Sequence, residues 1–169
     1  MEDFIQMTHD WTNFFAALAQ ISGALVGLVF VALTFNNRAL GLNGNPMLGA
    51  LARQTFADFI TLLFISMMML APHLSAAMSG WVLLLLCAIG FARILGSLFR
   101  LRAHLRHSAL LQRFVLSAAG HLMLGVAGAE LVRGHIGPGR TGSLLLSGAL
   151  MLMLSGCRSA WLLVLNDER

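Results

Sequence analysis

Apolar residues fill five long segments of the chain, and most polar residues lie between these segments. Each segment has a length of about 17 to 25 residues, the range that an α-helix needs to cross the hydrocarbon layer of a bilayer. A helix also satisfies its own backbone hydrogen bonds, as lipid requires. The pattern therefore predicts an all-α, polytopic transmembrane helix bundle. Its five helices are expected at about residues 14–35, 55–71, 81–99, 114–132 and 143–165, in a single integral membrane domain that covers residues 1–169.

Composition supports a membrane protein and argues against a nucleic-acid partner. Hydrophobic residues make up 58% of the chain and charged residues 11%, and the mean hydropathy is +0.81. Soluble domains of this length are far less apolar. The formal charge of +4 is the balance of 11 basic and 7 acidic residues, and all 11 basic residues are arginines. Because the arginines follow the predicted membrane loops rather than a basic patch, we expect no binding of nucleic acid.

The distribution of arginines predicts an orientation in the membrane. Arg38 and Arg53 fall in the first predicted loop, and the second loop has no arginine. The third loop contains Arg100, Arg102, Arg106 and Arg113. Arginine is enriched in cytoplasmic loops, so the first and third loops are expected in the cytoplasm, with Arg133 and Arg140 as exceptions. The amino terminus is then outside and the carboxyl terminus cytoplasmic.

The third loop is also the predicted contact with lipid headgroups. Its four arginines can each contribute about 1 kcal/mol of attraction to anionic lipid at the cytoplasmic surface. A solvated loop that only sets the orientation explains the same residues equally well.

The first helix carries a stripe of small and polar residues. Asn13, Gln20, Gly27 and Thr34 recur every seven residues, and Gly23 with Gly27 forms a GxxxG pair. Small residues let two helices approach closely in lipid. We therefore predict that Gln20, Gly23 and Gly27 form a helix-packing face, directed either into the bundle or towards a partner subunit. Ordinary packing between neighbouring helices is sufficient to explain this face.

Comparable stripes occur on later helices. The fourth helix carries Ser117, His121, Gly125 and Gly128. The third helix carries Gly90, Arg93, Gly96 and Ser97, and the fifth carries Ser147, Met151, Ser155, Arg158 and Ser159. These faces are also expected to point inward or towards a partner.

Ionisable residues inside the apolar segments are the best functional candidates. Asp58 lies about one turn inside the cytoplasmic end of the second helix, and Arg93 and Arg158 lie roughly two turns from the same side. A buried charge is costly alone, so Asp58 is predicted to pair with Arg93 or Arg158. His121 has a similar depth and completes this predicted polar layer, either as a proton-responsive group or as a neutral, hydrogen-bonded histidine. A salt bridge with a second arginine that reaches the headgroups would need no further function.

Sequence motifs of enzymes and metal sites are missing. The chain lacks the phosphate-binding GxxxxGK[ST], the zinc-binding HExxH and the nucleophile turn GxSxG. Cys87 and Cys157 differ in depth by roughly 12 Å, too far for a disulfide, and no cysteine and histidine set has a metal-ligand spacing. We expect neither catalysis, nor a metal, nor a cofactor.

The start of the chain resembles a known group of proteins. WTNFFAALA followed by QISGALVGLVFVALTFN is similar to the first helix of small bacterial multi-pass membrane proteins with no assigned activity. The resemblance covers about a fifth of the chain. It implies a protein of the bacterial cytoplasmic membrane, and it transfers no catalytic residue.

Two function classes fit these observations. In the first, several copies assemble into a homo-oligomer that forms an ion or small-solute permeation path, with the polar layer as its constriction. In the second, the chain is a non-catalytic subunit or regulatory scaffold whose stripes dock a larger membrane complex. An intramembrane enzyme has the least support because no nucleophile and base can be paired from their spacing. The convergence of charged residues on one depth favours the permeation path.

Overall fold

The computed structural model describes residues 6, 8–35, 46–72, 74–101, 107–134 and 138–166, which contain five long helices and no strand. The helices are α1 (Thr12–Phe35), α2 (Pro46–Leu70), α3 (Ala76–Leu101), α4 (His107–Arg133) and α5 (Pro138–Asn166). Each is long and apolar enough to cross a membrane. The prediction of an all-α fold with five helices able to span a membrane is therefore confirmed for the described residues. The orientation of the termini stays a prediction.

Proline marks two helix starts, and one of them lies earlier than the hydropathy indicates. Pro46 is the first residue of α2 and Pro138 the first of α5, a position where the missing N–H costs nothing. The second helix was expected from about residue 55, because Arg53 and Gln54 lower the local hydropathy. The helix nevertheless includes both residues, since neither breaks the backbone pattern, and Pro72 follows its end. The predicted depth of Asp58, about one turn inside the helix, is therefore wrong, because Asp58 lies about three turns from Pro46.

Consecutive helices run antiparallel, which brings the polar residues of four helices to a similar level, near the middle of α2. Gly80 of α3 meets Gly128 of α4, whereas Gly90 meets His121. Arg140, near the start of α5, lies beside Glu130 near the end of α4. Only five residues join α2 to α3, which is typical of antiparallel neighbours. Both α2 and α4 therefore begin, and both α3 and α5 finish, at one end of the bundle. We call it the Asp58 end. The opposite end, called the Glu130 end, contains the starts of α3 and α5. Trp11, just before α1, contacts Gly142 of α5 there, so α1 also begins at the Glu130 end.

The core lies along α2, which packs against α1 and α5 and also contacts α3. α4 packs between α3 and α5. The fully buried apolar side chains of this core include Phe15, Phe59, Leu62, Ile65, Leu83, Leu124 and Leu152. Large apolar side chains also cover the outer surface, among them Leu28, Phe64, Met67, Leu85 and Phe99. An apolar exterior is what lipid contact requires, since the hydrocarbon layer offers no hydrogen bonds.

Close backbone contacts join α3 to α4. A Cβ atom added to Gly80 would lie 2.7 Å from the carbonyl oxygen of Gly128, closer than real Cβ contacts come. Gly125 likewise packs on Cys87, with 2.7 Å from its added Cβ to Sγ. Both Cys87 and Cys157 are free thiols. The small residues on α4 therefore allow the backbones of α3 and α4 to approach closely, as expected for helices that associate in lipid.

Candidate functional site

Asp58 is the centre of a polar cluster inside the bundle. Its side chain is fully buried, with 0% of its surface exposed. Gln54 lies four residues earlier on α2 and therefore on the same face of the helix. The Gln54 Nε2 group donates a hydrogen bond of 2.8 Å to Asp58 Oδ1. The first partner of the carboxylate thus comes from its own helix.

Two serines from other helices complete the hydrogen bonding of the carboxylate. Ser117 of α4 donates from Oγ to Asp58 Oδ1 at 3.0 Å, and Ser155 of α5 donates to Oδ2 at 3.0 Å. The amide of Gln54 also donates to Ser117 Oγ at 2.7 Å. Both carboxylate oxygens are therefore hydrogen-bonded, and the acid ties three helices together.

Arg93 of α3 supplies a positive charge beside this carboxylate. Its Nη2 atom lies 3.6 Å from Asp58 Oδ1, and 32% of its side chain is exposed. Arg158, one turn beyond Ser155, is exposed on α5. Of the two arginines that the sequence proposes, Arg93 is thus the one that forms the ion pair with Asp58.

His121 lies one turn after Ser117 on α4 and is fully buried. Its Nδ1 atom is 2.8 Å from the carbonyl oxygen of Ser117. A carbonyl only accepts hydrogen bonds, so a neutral ring carries its proton at Nδ1 and leaves Nε2 as an acceptor. The ring lies directly against Gly90, and a Cβ there would overlap Cδ2, Nε2 and Cγ. Gly90 therefore provides the space that His121 occupies.

Two atoms of the polar cluster lack a hydrogen-bond partner. We call this cluster the Asp58 cluster, and it consists of Asp58, Gln54, Arg93, Ser117, His121 and Ser155. Among the described residues, three buried side-chain atoms have no hydrogen-bond partner, and two of them are Arg93 Nη2 and His121 Nε2. The third is Ser79 Oγ, near the Glu130 end. Buried polar atoms are normally satisfied by protein or ordered water. The cluster therefore has a donor and an acceptor available to a further polar species.

The predicted packing face of α1 lies on the outside. Gln20 is exposed, Gly23 is half-buried with Leu63 Cδ1 at 3.8 Å from an added Cβ, and Gly27 has no atom within 4 Å of that position. This face does not point into the bundle. Its other predicted direction, towards a partner subunit, stays a prediction.

The predicted lipid-binding arginines are only partly within the described part of the chain. The backbones of Arg100 and Arg113 are helical, in α3 and α4, while Arg102 and Arg106 lie outside the described residues, as does Arg38 of the first loop. Arg53, also expected in that loop, is instead an exposed residue of α2. Lipid binding by the third loop stays a prediction.

A second ion pair lies at the Glu130 end. Arg140 Nε is 2.9 Å from Glu130 Oε1, and Thr141 Oγ1 is 3.4 Å from Oε2. Arg133 lies one turn after Glu130 on α4, but the ion pair is formed by Arg140. The partner comes from the next helix because α5 begins beside the end of α4.

Sequence reasoning missed part of the Asp58 cluster. Gln54 was not singled out, although its position four residues before Asp58 was a usable signal. Ser117 and Ser155 were recognised as members of stripes, but not as donors to the carboxylate. That role depends on the rotation and depth of α4 and α5, which hydropathy does not give.

The described residues include no group of three or more histidine, cysteine, aspartate or glutamate side chains that could hold a metal ion. Comparison with known proteins gives no match to a protein-family model, a curated protein or a solved structure. The Asp58 cluster and the exposed helix faces are therefore the features that bear on function.

Proposed function

We propose that this small integral membrane protein forms an ion or small-solute permeation path in the bacterial cytoplasmic membrane, as a homo-oligomer. The Asp58 cluster is the polar step of the path, located among helices α2 to α5 of each chain. The observation that carries the proposal is a pair of buried atoms without a hydrogen-bond partner, Arg93 Nη2 and His121 Nε2, beside a carboxylate whose two oxygens both accept hydrogen bonds.

A purely structural salt bridge accounts less well for this arrangement. Isolated charges inside a membrane are costly, and residues that serve only stability gain little from a half-satisfied polar network. An Arg93 Nη2 donor and a His121 Nε2 acceptor offer hydrogen bonds to water, to a hydrated ion or to a polar solute that replaces water. A permeation path needs such groups, because they replace part of the hydration shell of the passing species.

Liposome flux measurements test the proposal. Purified protein is reconstituted into vesicles that contain a pH-sensitive dye for proton flux, or are assayed by stopped-flow swelling for small uncharged solutes. Asp58→Asn and Arg93→Gln should change the flux of the permeant at least about tenfold, equivalent to about 1.4 kcal/mol in the barrier. Glu130→Gln is the matched control, because it removes a carboxylate from the arginine pair at the other end of the bundle.

Folding is monitored in parallel by size-exclusion chromatography and circular dichroism. A folded Asp58→Asn variant with wild-type flux would contradict the role of the cluster. Wild-type vesicles with no flux above protein-free vesicles, across ions and small solutes, would contradict permeation itself.

A second function is favoured by a different observation, the exposed polar face of α1. In this alternative the chain is a non-catalytic subunit or regulatory scaffold, and the α1 face docks a foreign membrane protein. Native mass spectrometry after gentle extraction distinguishes the two. A foreign chain at fixed stoichiometry favours the subunit role, and a closed homo-oligomer favours permeation.

A further inference from the structure

The two sides of α1 differ in what they contact. Its inner side buries Phe15, Leu18 and Val29 against the rest of the bundle. At 100° per residue, the positions of the α1 stripe fall on the opposite side. The α1 stripe consists of Asn13, Gln20, Gly27 and Thr34, all of which are exposed. The least apolar side of this span therefore points directly away from its own chain.

Gln20 makes this arrangement costly for a single chain in lipid. It lies eight residues into α1, about 12 Å along the helix axis. Among the described residues its amide makes no hydrogen bond, whereas Thr34 Oγ1 donates to the carbonyl of Phe30 at 2.8 Å. An unpaired amide in hydrocarbon costs several kcal/mol, and no water is present to relieve it. A partner that can hydrogen-bond the Gln20 amide would remove this cost.

The α1 stripe also has room for another helix. No atom lies within 4 Å of a Cβ added to Gly27. Gly23, one turn away, is only half-buried. A backbone can approach such a surface closely, which is how helices associate in lipid.

The chemistry of this face fits a second copy of the same chain. An identical chain inserted in the same orientation has each residue at the same depth, so Gln20 meets Gln20 across a two-fold axis along the membrane normal. A glutamine amide contains both a donor and an acceptor, and two of them can therefore satisfy each other. The α1 span Thr12–Thr34 has no acidic or basic residue, so no opposite charge is needed in the partner. The seven-residue spacing is that of a left-handed helix pair.

We propose that two copies of this protein associate through the α1 stripe, with Gln20 of each copy hydrogen-bonded to Gln20 of the other. This rests on the homo-oligomer in the proposed function and names its interface. The interface is separate from the Asp58 cluster, which lies inside the bundle of each chain. Assembly and flux are therefore affected by different residues.

Cysteine cross-linking in native membranes tests the interface. The two native cysteines are first replaced by alanine. Ala24→Cys, which lies one turn after Gln20 on the exposed side of α1 and keeps the Gln20 amide, is then compared with Leu85→Cys, whose side chain is exposed on α3. Under mild oxidation Ala24→Cys should give a two-chain product and Leu85→Cys should not. Absence of the product for Ala24→Cys, or equal linking at both positions, would overturn the proposal.

A second measurement gives the strength of association and separates it from folding. Single-molecule photobleaching in lipid vesicles should show that Gln20→Leu weakens dimer formation about 3- to 30-fold, the range expected for interhelical polar contacts in membranes, while Gln20→Asn retains most of it. The helical circular dichroism signal should stay unchanged. An unaltered dimer in Gln20→Leu, or a foreign chain bound in its place, would refute the interface. Flux is measured on the same vesicles, so that the permeation proposal and the interface proposal are tested separately.

Discussion

α1 and α4 carry similar stripes of small and polar residues, but the structure buries only the stripe on α4. Gly128 of α4 is buried against α3, with an added Cβ 2.9 Å from the carbonyl oxygen of Gly80. Gly27 of α1 faces open space. On α4, His121 is buried, whereas Gln20 on α1 is exposed.

The difference comes from the position of each helix in the bundle. α4 lies between α3 and α5, while α1 packs mainly on α2. A stripe of small residues thus indicates a helix contact without indicating whether the partner belongs to the same chain. The number of neighbours within the chain decides this.

The largest expected effect comes from Asp58, which accepts a hydrogen bond from Ser117 of the α4 stripe. Asp58→Leu removes the acceptor of three hydrogen bonds and leaves Arg93 without its counter-charge. We expect the free energy of unfolding to fall by about 3 to 5 kcal/mol. Equilibrium unfolding in mixed detergent micelles measures it. Gln20→Leu is the matched control on α1 and should leave the stability of the single chain unchanged. Equal losses in the two variants would contradict the contrast between the two helices.

An intermediate effect is expected from glycine substitutions in the two stripes. Gly128→Ala should reduce the free energy of unfolding by about 1 to 2 kcal/mol, because overpacking costs more than the helix gains from alanine. Gly27→Ala has no clash and should raise the stability of the single chain by up to about 1 kcal/mol. The same unfolding assay compares them. A Gly128→Ala variant as stable as Gly27→Ala would mean that α3 and α4 do not meet at this glycine.

The last expected effect is local, at the contact of His121 with α3. Gly90→Ala should displace the buried ring, because an added Cβ would overlap it, and break its hydrogen bond to the Ser117 carbonyl. Nitrogen-15 NMR of the imidazole reports this as a change in the Nδ1–H signal. Gly96→Ala, on the same helix with no atom within 4 Å, is the control. An unchanged imidazole signal in Gly90→Ala would contradict the packing of His121 on Gly90.

The sequence was sufficient to predict the membrane-spanning helices, because the length and hydropathy of each segment depend on local composition. It also narrowed the partner of Asp58 to two arginines through their similar depth. It could not choose Arg93 or identify Gln54, Ser117 and Ser155 as donors, since those contacts depend on how each helix is rotated about its axis. The start of α2 was missed because polar residues at a membrane boundary lower the hydropathy without ending a helix.

The separation of Asp58 from its partners along the chain also constrains the order in which the protein can be made. Ser155 follows Asp58 by 97 residues, which corresponds to roughly 5 to 20 s of synthesis at the usual ribosomal rate. Only the Gln54 amide comes from the same helix as the carboxylate. Arg93 is made before Ser117, and Ser117 follows Asp58 by 59 residues, so the partners from other helices are added one after another. An aspartate within a span can raise the cost of insertion by up to about 3 kcal/mol. The insertion machinery therefore has to accommodate α2 until the last helix is released, and only then can the acid acquire its full set of ligands.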